Sequence, residues 1–127
     1  MTIRDCIGCE GQHWQIDRTD CESACRFIET SVAAALGIGL AELRMHSRGR
    51  AAAAFARQTA MYLAHVHFGL SLSQVGRTFG RDRTTVAHAC ARVEDCRDDP
   101  RFEHVLACLE AALDGWLRNF LAAEAPL

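Results

Sequence analysis

Apolar residues recur along most of this chain at a spacing near 3.6, the signature of helices that bury one face. Residues 1–18 lack any period and contain glycine, so they read as an irregular segment. A helix is expected from Asp20, its N-cap, with Cys21, Cys25, Ile28 and Val32 on one side and Gly37 as its stop. A short helical turn around Leu40–Leu43 follows, then an exposed basic loop over 45–50.

The next helix is expected over 49–67. Phe55, Thr59, Tyr62, Leu63 and Val66 form its core stripe, and Arg57, Gln58 and His65 share a different arc. Gly69 ends it. Ser71 and Gln74 have capping-box spacing, which predicts a helix over Leu72–Phe79 closed by Gly80. Asp82 caps a helix over 83–97, and this short helix, glycine turn and longer helix make a helix-turn-helix across 71–97. Asp99-Pro100 opens a last helix whose apolar face runs from Phe102 to Phe120. The expected fold is therefore all-α, a compact helical bundle forming a single domain over 19–123, with a frayed tail over 124–127.

Composition supports this and narrows the chemistry. In 127 residues, 50% are hydrophobic and 24% charged, with two prolines, which suits one packed helical core. No window reaches the ~18 apolar residues of a membrane span, and no apolar stretch follows Arg4 as in a secretory leader. A cytoplasmic protein is expected, with no membrane partner.

The net charge of −2 is distributed unevenly. Residues 1–43 carry −4 and residues 84–127 carry −4, whereas residues 44–83 hold seven arginines against Asp82 alone. Such a block attracts polyanions through local potential, whatever the total charge. On the helix over 83–97, Val86, Ala89, Cys90 and Val93 cluster toward the core. The opposite side presents Thr84, Ala87, His88 and Ala91, edged by Arg83 and Arg92. Small residues allow close approach to a DNA major groove, threonine reaches a thymine methyl or a phosphate, and arginine forks onto guanine.

The stretch ARQTAMYLAHVHFGLSLSQVGRTFGRDRTTVAHACARVED closely resembles the C-terminal DNA-binding domain (domain IV) of the bacterial replication initiator DnaA, a fold with a Trp-repressor-like helix-turn-helix. Upstream, VAAALGIGLAELRMHSRGR resembles the entry to that domain. The resemblance implies that Arg57, Gln58 and His65 contact the phosphate backbone, and that Arg48 or Arg50 enters the minor groove. It further implies that Asp82, Thr84 and Thr85 open the recognition helix, with His88 and Arg92 further along its face; Ser71, Arg81 and Arg83 complete the expected DNA-binding set. Three departures stand out. One glycine precedes Arg81-Asp82 where the family has two, and Arg83 replaces a histidine that helps read the initiator's box. At position 65, histidine stands where lysine is usual, which makes phosphate attraction there depend on pH.

No phosphate-binding G-x-x-x-x-G-K-[ST] loop is present, and with no lysine in the chain none can be. The expected function is a stand-alone, sequence-preferring binder of double-stranded DNA that regulates replication initiation or transcription, without ATPase activity or bound nucleotide. A second reading is an adaptor that binds the initiator or its inactivation machinery through the acidic flanks and the apolar last helix.

The seven cysteines admit another chemistry. Cys6-x2-Cys9 and Cys21-x3-Cys25 resemble a four-thiolate zinc spacing, with His13 as a substitute ligand, and would make a metal- or redox-responsive regulator. Cys21 and Cys25 fit better as small core residues, so no metal or cofactor is expected. Asp98-Asp99 reads as helix capping, and no nucleophile-base pair suggests an enzyme.

Overall fold

A computed structural model describes residues 18–45 and 51–124, with side chains for 21–45 and 51–119. The irregular segment expected over 1–18, with Cys6, Cys9 and His13, and the loop arginines Arg48 and Arg50 thus fall outside the described residues, Arg18 alone excepted.

The described residues form α1 (Arg18–Leu36), α2 (Leu40–Leu43), α3 (Ala51–Tyr62), α4 (Leu72–Phe79), α5 (Arg83–Cys96) and α6 (Pro100–Glu124). Helix α1 begins two residues before Asp20, which therefore sits inside the first turn and does not cap it. Its stripe of Cys21, Ala24, Cys25, Ile28 and Val32 is buried as the period requires. Gly37, at φ +69°, closes it through Ile38 N–H donating to Ala33 O at 2.9 Å, a left-handed end that glycine reaches without strain.

Helix α3 lies at the centre. Ala53, Ala56 and Ala60 are fully buried, and their small side chains let α1 and α5 pack closely against it. The sequence pattern predicts an α-helix through His67, but the last turn, Leu63–His67, is π-helical, with Phe68 N–H reaching back to Leu63 O at 3.1 Å. Val66, Phe68 and Leu70 are all buried within five residues. A strict 3.6-residue period cannot turn all three inward, and the widened turn resolves that conflict.

A polar network ties α3 to α5 and α6. Tyr62 donates its hydroxyl proton to Glu94 Oε2 at 2.6 Å and accepts from Arg97 Nη1 at 2.9 Å. Arg97 forks onto both oxygens of Glu103 at 2.6 and 2.7 Å, which holds the Glu103 carboxyl below the usual carboxylate range. His67 meets Asp114 at 2.7 Å. Further along α6, Trp116 stacks on Phe27 with ring centres 4.8 Å apart, and Leu106, Leu109, Leu113 and Leu117 are buried. The inward face of α6 is thus used within its own domain as far as Leu117. No helix among the described residues is long and apolar enough to cross a membrane.

Candidate nucleic-acid interface

The helix-turn-helix is set by local chemistry. Ser71 Oγ accepts from Gln74 N at 3.0 Å while Gln74 Oε1 accepts from Ser71 N at 2.8 Å, a reciprocal cap that starts α4. Gly80, at φ +69°, ends α4, and Arg81 N–H closes the turn onto Gly76 O at 2.8 Å. Gly76 is required for contact: a Cβ there would lie 2.5 Å from Arg81 O. Asp82 Oδ1 then accepts from Thr85 N at 2.7 Å and caps α5; that bond keeps its carboxyl ionised well below the usual range.

Helix α5 buries Val86, Ala89 and Val93 against α3, with Cys90 half-buried beside them. Its other side is open. Arg83, Thr84, Thr85, His88, Ala91 and Arg92 are all exposed, with Ala87 half-buried between them. Arg92 lies over the Phe55 ring, 5.5 Å from its centre, so its guanidinium is steered by an aromatic face on α3.

Arg57 departs from the open arc that helical geometry suggests. It is 7% exposed, and its Nε donates to Leu43 O at 2.9 Å, while Nη2 is buried without a partner. Arg81 Nη2 donates to Met45 O at 3.1 Å. Two arginines from separate elements therefore hold two carbonyls at and just after the end of α2, and burial, with Arg81 nearby as a lesser cause, lowers the proton affinity of Arg57.

Gln58 is half-buried with its Oε1 enclosed and unpartnered. His65 is half-buried too, and its Nδ1 lies 2.6 Å from Leu70 O. A carbonyl only accepts, so Nδ1 carries the proton in that contact, and Nε2 donates to an anion only when the ring is cationic. His65 and Ser71 thus stand together at the start of α4, while Arg57 and Arg81 stand together at the loop entrance. Positions 57 and 65 are separated by about 12 Å along the helix axis, at ~1.5 Å per residue.

Three cationic residues outside the expected set join Arg57 and Arg81 around one concavity: Arg26 on α1, Arg44 after α2 and Arg77 on α4. Arg44 and Arg77 belong to the basic block over 44–83. Arg26 lies in an acidic stretch, and no sequence signal assigns it to this group.

The cysteines of α1 are thiols in the core. Burial, with Cys21 beside it, pushes the Cys25 thiol up to about 12. The same cause raises Cys90 to about 11.

Comparison with known proteins agrees with this architecture. Residues 25–93 match the family described as the bacterial dnaA protein helix-turn-helix. The chain is similar to the chromosomal replication initiator protein DnaA of Symbiobacterium thermophilum, 40% identical over 88 residues, covering 68% of this chain and 19% of that protein. Against the protein of the same name from Gluconobacter oxydans it is 40% identical over 117 residues, 91% of this chain and 20% of the relative. For Caulobacter vibrioides the figures are 41% over 90 residues, 69% and 18%. The chain spans about a fifth of the length of these curated relatives. A match over more than half the chain, coinciding with the capped helix-turn-helix and its open second helix, makes this chain a member of the bacterial DnaA helix-turn-helix family.

Proposed function

We propose that this protein binds double-stranded DNA with sequence preference and regulates replication initiation or transcription, without ATPase activity. The open face of α5 carries this reading: Arg83, Thr84, Thr85, His88 and Arg92 are exposed on a helix whose opposite side is locked into the core. That face enters the major groove, with Arg83 reading a guanine edge or adding a phosphate contact. Because the Thr85 and Val86 N–H groups are taken by Asp82, a phosphate at the first turn of α5 is met by the exposed side chains of Thr84 and Thr85.

Gln58, His65, Ser71 and Arg81 flank this face and contact the backbone. Arg57 works from beneath: it adds positive potential and fixes the Leu43 carbonyl, and Arg48 or Arg50 is the arginine that reads the minor groove. Names of the relatives place them in chromosomal replication initiation, which supports a role for this chain in controlling that step. A cytoplasmic location follows from such a target.

Selection of bound duplexes from a random-sequence pool, with the initiator's recognition box as competitor, tests this. Enrichment of a defined motif is expected, differing from that box at the base read by Arg83. Failure to enrich any duplex, together with direct binding of the initiator protein, would instead support an adaptor.

A further inference from the structure

A cavity of about 820 Å³ opens between α1, the segment after α2, and α4. Its walls bring together Arg26, Arg44, Arg57, Arg77 and Arg81, with Glu22 and Glu29 as the carboxylates. Glu29 is engaged by Arg44, at 3.0 Å to Nη2 and 3.1 Å to Nε. Three positive charges remain in excess. The ion pairs among the described residues involve Arg44, Arg97 and His67 and leave Arg26 and Arg77 out.

Arg57 is more than nine-tenths buried in this wall, with one guanidinium nitrogen on Leu43 O and another lacking any partner. A buried, incompletely satisfied guanidinium close to a second arginine is an unfavourable arrangement, and an anion nearby relieves it. The Cys25 thiol also lines the cavity, and burial keeps it protonated, so it does not offset the charge. Thr78 and Gln74 add polar groups to the rim.

We propose that this cavity binds a compact polyphosphate anion, held by Arg26 and Arg77 at its mouth over the positive potential of Arg57 and Arg81. The volume falls in the ~300–1,000 Å³ range of small-molecule sites. A recessed, five-arginine site fits a discrete anion better than the convex phosphate rail of a duplex. Guanidinium forks match phosphate oxygens bidentately, and two or three phosphates match the excess charge. Sharing of Arg57 and Arg81 with the face assigned to DNA makes the two ligands compete.

Calorimetric titration of the whole chain with sodium pyrophosphate, at constant ionic strength, tests the proposal. Saturable 1:1 binding is expected, weakened about tenfold or more by Arg26→Gln and by Arg77→Gln, and unchanged by Arg118→Gln on α6. All three side chains are exposed, so their melting curves should match the parent and exclude misfolding. Absence of saturable binding, or equal binding by parent, Arg26→Gln and Arg77→Gln, overturns it. Duplex binding by the same variants separates this claim from the one above. If Arg26→Gln and Arg77→Gln weaken duplex binding and pyrophosphate does not bind, the cavity belongs to the DNA track; the anion site fails while the DNA-binding reading stands.

Discussion

Arg57 and Leu43 are joined by a 2.9 Å hydrogen bond from a buried guanidinium to a main-chain carbonyl fourteen residues earlier. The bond places Arg57 inside the domain, with the base of the basic loop pinned onto α3. Arg57→Ala leaves that carbonyl unsatisfied and should cost about 1–3 kcal/mol of stability in urea denaturation. It should also weaken binding to unrelated duplexes by similar factors. Loss of binding with unchanged stability would assign Arg57 to direct phosphate contact.

Gly76→Ala forces a methyl to within 2.5 Å of Arg81 O, a backbone atom that cannot rotate away. Overpacking of this kind costs about 1–3 kcal/mol or more, and here it pushes the turn off Arg81 and Asp82. Thermal unfolding should show the loss. Duplex affinity should fall even at temperatures where the variant remains folded.

Glu103 supplies a pH signature. Its carboxyl lies below the usual range in the folded protein because Arg97 holds the ionised form. The contribution is complete above the unfolded value, about 4.3, and is lost as pH drops through the lower folded value. Melting temperatures of the parent should therefore fall more steeply below about pH 4 than those of Glu103→Gln. Parallel acid limbs would show that the fork contributes nothing.

Arg83→His restores the residue found in the family pattern at the start of the recognition helix. It should move base preference by about 1–3 kcal/mol at one or two positions of the selected site. Competition binding with single-substitution duplexes reads this directly. A uniform change across all positions would mean that residue 83 touches only the backbone.

The parts of this architecture legible in the sequence are those fixed by near neighbours. Ser71 with Gln74, Gly80, and Asp82 ahead of Arg83 determine the bounds of α4 and the start of α5 by bonds spanning three or four residues, and the pattern predicts them. The resemblance to the initiator's DNA-binding domain likewise rests on this contiguous stretch. What depends on distant contacts was hidden. Helical geometry separates Arg57 from the core stripe of α3, but only the arrival of Leu43 and Arg81 closes over it. The π-helical turn arises from the joint burial of Val66, Phe68 and Leu70, which no single helical period describes. Arg26 reaches the cavity because α1 packs on α3 next to α4, a relation without any local signature. Asp20 misled for the opposite reason: a good capping residue lay two positions inside a helix that starts at Arg18.

Under the proposed function, one cationic face, built from α5 and its flanking residues, grips duplex phosphates. Duplex affinity measured against salt concentration tests it most directly, because each neutralised phosphate contributes about −0.9 to the slope of log K against log salt. Contacts from at least three residues of this face predict a slope of about −3 or steeper. A slope near zero, with binding insensitive to salt, would contradict the account.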